Sequence, residues 1–108
     1  MNRQENSVAV FGASGHTGDF VVKELHRRGL GVIRIGRSME KLRARADTTW
    51  DDPARVATIE DAGSLDAVLK GARAVINCAG PFLDTALPVL DAALRARIPY
   101  LDIGRAHV

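Results

Sequence analysis

A glycine-rich segment near the start of the chain carries the clearest chemical signal. It lies between an apolar run at residues 8–11 and a helical pattern at about 16–28. Gly12 allows a tight turn, Gly15 leaves room for a pyrophosphate, and Gly18 lets the helix pack closely on the strand. The amides that open the helix favour phosphate, and a purely structural glycine turn is the alternative. The predicted dinucleotide-binding loop consists of Gly12, Ala13, Ser14, Gly15, His16, Thr17 and Gly18.

The end of the second predicted strand indicates which dinucleotide binds. An NAD-selective site places Asp or Glu there to hold the ribose hydroxyls, whereas this chain has Gly36, Arg37 and Ser38. Arg37 offers a planar fork of donors for a 2′-phosphate, and Ser38 adds a hydroxyl. The residue types therefore favour NADP(H) over NAD(H). Lys41 is a second candidate cation, with a solvated helix face as the favoured alternative.

The loop after the fourth predicted strand should lie beside the same crevice. Its small residues, Cys78, Ala79 and Gly80, would let a ribose approach, and Asn77 can bridge backbone groups through its amide. Cys78 has no base assigned to it. A small buried apolar role is therefore favoured over a nucleophilic one.

Two further candidates carry open alternatives. His16 opens a helix, where the dipole disfavours an imidazolium, so a neutral ring near the phosphates is favoured over a catalytic base. Asp61 follows the third predicted strand and is placed to reach the adenine. A turn carboxylate that precedes a helix is an equal alternative for Asp61.

The elements that must position these residues alternate along the chain. Apolar runs predict five strands, at residues 8–11, 32–35, 56–59, 74–76 and 99–103. Helical patterns and short connections separate them, which demands right-handed crossovers and a parallel sheet. The predicted fold class is α/β, a Rossmann-like doubly wound parallel sheet of about five strands with helices on both faces.

Helix caps and faces follow from the same patterns. Ser38 is predicted to cap the second helix, Ser64 the third, and Thr85 the last, at about residues 84–97. Pro88 then falls in the first turn, where no intrahelical bond is lost. The predicted core face of the last helix consists of Ala86, Leu87, Leu90, Ala93 and Leu94.

Composition limits the function classes. The chain has 108 residues, 46% apolar and 26% charged, which suits one globular domain without a separate substrate-binding lobe. The net charge of +2 comes from paired arginines, read as scattered helix ends in preference to one anion-attracting region. One cysteine and three separated histidines predict no metal site, and few aromatics disfavour nucleic-acid binding. With no apolar run of membrane or signal-peptide length, we expect a cytoplasmic protein.

Four segments taken together resemble one family. They are VFGASGHTG at residues 10–18, GRS with KL at 36–42, INCAGPFL at 76–83 and YLD at 100–102. These segments resemble the N-terminal cofactor domain of saccharopine dehydrogenase-like proteins, over nearly the whole chain. The NCAGPF and YLD segments make the resemblance considerably more specific than the glycine loop alone.

The resemblance implies a nicotinamide-dependent oxidoreductase in which a following domain holds the substrate and helps the protein to oligomerise. It also implies which residues contact the cofactor. Gly12, Ser14, Gly15, His16 and Thr17 would line the pyrophosphate, Arg37 and Ser38 the adenosine phosphate, and Cys78, Ala79 and Gly80 the nicotinamide half.

The chain departs from the family pattern after Asp102. Residues 103–108 stop where the substrate domain is expected, so no catalytic residue can be carried over. We therefore expect residues 1–108 to be an NAD(P)-binding Rossmann domain, with the substrate domain absent.

Two function classes stay open. The first is the cofactor-binding domain of an NADP(H)-dependent oxidoreductase that resembles saccharopine dehydrogenase or trans-acting enoyl reductase, with this chain alone inactive. The second is a non-catalytic NAD(P)-sensing regulatory protein related to short-chain dehydrogenases. Tyr100 is the sole tyrosine and residue 104 is glycine, so the Tyr and Lys four apart of a self-contained short-chain enzyme are missing.

Overall fold

The structure, a computed structural model, describes residues 7–47 and 49–103. Strands and helices alternate along this part of the chain, as the sequence predicted. In order they are β1 (Ser7–Phe11), α1 (His16–Arg27), β2 (Gly31–Gly36), α2 (Met39–Ala44), β3 (Ala54–Val56), α3 (Ala62–Val68), β4 (Ala72–Asn77), α4 (Phe82–Ala96) and β5 (Tyr100–Asp102).

The five strands form one parallel sheet in the order β3-β2-β1-β4-β5. The chain builds outward from β1 to β3 and then crosses back to place β4 on the other side of β1. This reversal makes the carboxyl ends of β1 and β4 the switch point, where such sheets hold their ligands. Both β1 and β2 are buried along their whole length, which fits a sheet covered on both faces.

Helices cover the two faces of the sheet separately. On one face, Val22 of α1 and Leu42 of α2 pack with the side chains of one apolar cluster. On the other face, Leu65 of α3 and Val89 of α4 pack with the other cluster. The predicted fold class, a doubly wound α/β sheet of Rossmann type, is confirmed.

The predicted core face of the last helix is right at Ala93 and wrong at Leu87 and Leu94, while Ala86 and Leu90 are partly buried. The residues of α4 that are buried are Thr85, Val89, Ala92 and Ala93, whereas the side chains of Leu87 and Leu94 are 67% and 65% exposed. Helix α4 carries two apolar stripes, and periodicity alone does not say which one meets the sheet.

Three local predictions need correction. Helix α4 begins at Phe82 with Pro81 as its N-cap, so Thr85 lies inside the helix and Pro88 lies beyond its first turn. Helix α3 is capped by Asp61, while the Ser64 hydroxyl donates to the carbonyls of Thr58 and Asp61. Strand β3 is Ala54–Val56, earlier than the predicted residues 56–59. The predicted cap of α2 is confirmed, because the Ser38 side chain accepts from the Lys41 amide.

The packing of α4 makes a prediction about stability. Val89→Ala should lower the free energy of unfolding by about 2 kcal/mol, because it empties part of a buried apolar cluster. Leu87→Ala, on the exposed side of the same helix, should change it by less than about 0.5 kcal/mol. Urea unfolding followed by circular dichroism measures both. A larger loss from Leu87→Ala than from Val89→Ala would contradict the observed orientation of α4.

Candidate functional site

The glycine loop after β1 is held tightly against its neighbours. The amides of Gly12 and Ala13 donate to the Ile35 carbonyl at 2.8 and 3.0 Å. Gly12 has φ +86°, and a Cβ there would lie 2.7 Å from the Ala79 Cα and nitrogen. A Cβ on Gly18 would lie 2.0 Å from the Gly12 oxygen. Packing within the protein therefore explains why residues 12 and 18 are glycine.

Gly15 differs from these two glycines because no other part of the protein occupies the space that its side chain would need. A Cβ there would meet only the Gly12 oxygen, at an ordinary 3.6 Å. Its φ of −84° and ψ of 173° suit any residue. It is also the N-cap of α1, and no side chain accepts from the first-turn amides there, whereas Ser38 and Asp61 cap α2 and α3. Open space beside uncapped amides is what a pyrophosphate needs.

Two recesses open at the carboxyl edge of the sheet. The first is a cleft of about 320 Å³ between the loops that follow β1, β2 and β4. The second, of about 470 Å³, lies between Thr17, Phe82, Ile103 and residues 77–80. Residues 78–80 border both recesses, so this loop separates them and contributes to each.

The structure brings most of the predicted cofactor-binding residues together. Those that line the cleft are Gly12, Ser14, Gly15, Arg37, Cys78, Ala79 and Gly80. Thr17 lines the second recess. The predicted residues that line neither recess are Ala13, His16, Gly18, Ser38 and Asp61. For Asp61 the structure shows the alternative role, that of a helix cap, and a contact with the adenine stays a prediction.

Ile59 and Glu60 also line the cleft, near Gly36 and Arg37, and the sequence reading missed them. The signal was present, because both residues follow β3, whose carboxyl end lies at the same edge as those of β1 and β2. Placing the strand too late, at residues 56–59, assigned Ile59 to the sheet and concealed its position in the loop.

The arginine pairs are scattered, as the sequence favoured. Arg28 binds Glu24 on α1 at 3.1 Å, Arg95 binds Asp66 at 2.9 Å, and Arg34 is buried with its guanidinium on the Leu42 carbonyl. Arg37, in contrast, is exposed at the mouth of the cleft. It therefore contributes positive charge where the adenosine end of a dinucleotide would lie.

Cys78 is a protonated thiol in its surroundings. It is partly buried, packs against the apolar cluster under α1, and borders both recesses. Burial raises the pKa of the Cys78 thiol to about 11. A thiol of such a pKa is a poor nucleophile near neutral pH, which supports the predicted apolar role.

The Asn77 side chain bonds one backbone group of the loop after β4, and its nitrogen donates to two side-chain hydroxyls, so the predicted bridging of backbone groups is only partly confirmed. The Asn77 Oδ1 accepts from the Ala79 amide at 3.0 Å, and the Cys78 amide donates to the Phe11 carbonyl at 2.8 Å. The loop is thus bonded both to itself and to the end of β1.

Comparison with known proteins identifies the family. The sequence model of the saccharopine dehydrogenase NADP binding domain matches residues 8–107. The chain belongs to this family. NADP is the cofactor of the family's domain, in agreement with the preference read from residues 36–38.

Individual relatives agree with this assignment. The chain is 32% identical over 114 residues to the saccharopine dehydrogenase-like oxidoreductase of Rattus norvegicus, covering 89% of the chain and 27% of the relative. It is 26% identical to a trans-acting enoyl reductase of Mycobacterium ulcerans, covering 94% and 26%. The chain thus spans about a quarter of the length of the curated relatives that it matches.

A solved structure extends the comparison. The triphenylmethane reductase of a Citrobacter species, determined with NADP(H), is 27% identical and superposes with a TM-score of 0.70, covering 86% of this chain and 36% of that one.

Within residues 7–47 and 49–103 no cluster of three or more His, Cys, Asp or Glu side chains could hold a metal ion. In the same part of the chain, no helix has the length and apolar character needed to cross a bilayer.

The raised pKa of Cys78 gives a direct test. At pH 8 the folded chain should contain about 100-fold less thiolate than a cysteine of ordinary pKa, so alkylation by iodoacetamide should be slow. The rate should rise as the pH approaches 11. The urea-unfolded chain serves as the control, and equal rates for the folded and unfolded chains at pH 8 would contradict the buried thiol.

Proposed function

We propose that this chain is the cofactor-binding domain of an NADP(H)-dependent oxidoreductase whose substrate is held by another domain. The observation that carries the proposal is the open space at Gly15 beside the uncapped start of α1. This space lies in a cleft that extends from Arg37 to residues 78–80. Pyrophosphate would occupy the α1 end, with adenosine towards Arg37 and nicotinamide towards the loop after β4.

Arg37 would select the phosphorylated cofactor. Its guanidinium can form two parallel hydrogen bonds with a 2′-phosphate. Glu60 lines the same end of the cleft, so a positive and a negative side chain border the adenosine site together. Ser38 would contribute less, because its side chain already caps α2.

The chemistry of the bound cofactor would be hydride donation from the nicotinamide ring. The residues of this chain would bind and orient it. Cys78 holds its proton near neutral pH, and its small size would let the nicotinamide ribose approach the loop. Catalytic residues and the substrate would belong to the remainder of the protein, as would any self-association.

A cytoplasmic location is part of the proposal, because a single cysteine forms no internal disulfide and suits a reducing compartment. The relatives that carry the words oxidoreductase and reductase in their names support an enzyme over a regulatory sensor. A regulatory sensor would bind NADPH equally well, so binding alone does not separate the two functions. If the protein is a sensor, the longer protein should fail to oxidise NADPH with any carbonyl, imine or enoyl substrate.

Charge reversal tests the selectivity. Arg37→Asp should weaken NADPH binding at least about tenfold, because a bond to a charged phosphate is lost and repulsion replaces it. The affinity for NADH should stay the same or improve. Arg43→Asp, which makes the same charge change on the exposed side of α2, is the control and should affect both cofactors little. Calorimetric titration measures all three chains, and an equal loss for both cofactors in Arg37→Asp would refute the role of Arg37.

Two glycine substitutions separate packing from ligand binding. Gly15→Ala should leave the free energy of unfolding within about 0.5 kcal/mol of the native value, because its backbone angles suit alanine, yet should weaken NADPH binding at least about tenfold. Gly12→Ala should lose at least about 2 kcal/mol of stability, because its φ is positive and a Cβ would collide with Ala79. Gly15→Ala with native affinity for NADPH would remove the main support for the proposal.

A further inference from the structure

The loop at residues 78–80 is fixed by the side chains of Asn77, which directly precedes it, and of Thr85, a residue of α4 that also lines the cleft. Both polar groups of the Ala79 backbone are occupied by side chains. The Ala79 amide donates to the Asn77 Oδ1 at 3.0 Å, and the Ala79 carbonyl accepts from the Thr85 hydroxyl at 2.9 Å. A third bond, from the Asn77 Nδ2 to the Thr85 Oγ1 at 3.1 Å, completes a ring of hydrogen bonds that joins Asn77, Ala79 and Thr85.

The two side chains of the ring are almost inaccessible to solvent, whereas Ala79 is partly buried and lines both recesses. Asn77 is 2% exposed and Thr85 is 5% exposed. Water therefore cannot readily replace the bond between Asn77 and Thr85, and a buried polar group left without its partner is destabilising. The ring should hold a single conformation before any ligand arrives.

Tyr100 completes the bonding of the Asn77 amide. The Asn77 Nδ2 also donates to the Tyr100 hydroxyl at 3.2 Å, and that hydroxyl donates to the Asp102 Oδ2 at 2.9 Å. Burial raises the pKa of Tyr100, and the bond with Asp102 raises it further, so the phenol keeps the proton that it donates. Strand β5 thereby orients the same amide that α4 holds through Thr85.

The ring also determines where the two cofactor loops meet. Ala79 is the residue against which Gly12 packs, so closely that no side chain fits on Gly12. A displacement of Ala79 would change the width of the cleft on its β4 side. It would leave the adenosine end at Arg37, which is formed by the loops after β2 and β3, unchanged.

We propose that Thr85, acting through Ala79 and with Asn77, is a positioning residue for the nicotinamide half of the bound cofactor. The inference rests on the proposed function, since it needs NADP(H) in the cleft. It assigns Thr85 an effect on one half of the cofactor only. The adenosine half should bind independently of the Thr85 hydroxyl.

The test compares the whole cofactor with its adenosine half. NADPH and 2′,5′-ADP, which lacks the nicotinamide, are titrated by calorimetry into the native chain, Thr85→Val and Thr85→Ser. Thr85→Val keeps the shape of the side chain and loses the hydroxyl. We expect this variant to bind NADPH about tenfold more weakly, while its affinity for 2′,5′-ADP changes less than about twofold. Thr85→Ser keeps the hydroxyl and should restore NADPH binding. Fluorescence anisotropy of bound NADPH should fall in Thr85→Val, because the nicotinamide ring gains freedom.

The outcomes are distinguishable. If Thr85→Val weakens both ligands equally, or neither, the positioning role is wrong even though the proposed function stands. If the native chain binds neither ligand, the proposed function fails and the inference fails with it.

A second measurement applies to the unmodified chain and does not depend on whether Thr85→Val folds. Hydrogen exchange followed by NMR should show the Ala79 amide protected without cofactor, with protection little changed by 2′,5′-ADP. An Ala79 amide that exchanges freely until NADPH is added would show that the cofactor forms the ring, which would overturn the inference.

Discussion

The contact between Gly12 and Ala79 determines the form of the site. Strands β1 and β4 are parallel neighbours, so the loops that follow them leave the sheet side by side. The two loops approach until the Cα of Gly12 meets the backbone of Ala79, where even a methyl group would collide. Because both loops are held this closely, the cleft lined by Gly15 opens beside them and the second recess lies apart from it. The cleft is thus a consequence of strand order and of two glycines that packing requires.

Of the arginines described above, only Arg37 lines the cleft. Arg28 and Arg95 bind carboxylates, and Arg34 binds a buried carbonyl, which leaves Arg37 as the guanidinium that lines the cleft, at the end beside β2. The net charge of the chain therefore says little about its ligand. The position of one residue, directly after β2, carries the information. The opposite end of the site is controlled by neutral groups, the amide of Asn77 and the hydroxyl of Thr85.

Much of the fold and half of the site were accessible from the sequence. Strand, glycine loop and helix follow one another locally, so their order predicted the position of Gly15 and Arg37 at one edge of a parallel sheet. The prediction failed where the answer depends on a distant element. Thr85 was read as a helix cap, yet its hydroxyl meets the Ala79 carbonyl inside the fold. The surroundings of His26 on α1 also depend on a distant segment, because His26 is buried with its ring stacked on Trp50 at 4.1 Å and bonded to Asp52 at 2.7 Å.

The sequence by itself determined the alternation of elements, the place of the glycine loop between β1 and α1, and the preference for NADP, because each depends on neighbouring residues and on backbone geometry. Tertiary structure decided which stripe of α4 faces the sheet, since two stripes are apolar and only the approach of the helix to β4 distinguishes Val89 from Leu87. It also decided that Asn77, Thr85 and Tyr100 share one set of hydrogen bonds. Their separation along the chain gives no sign of the contact, which exists because β4, α4 and β5 pack together at one end of the sheet.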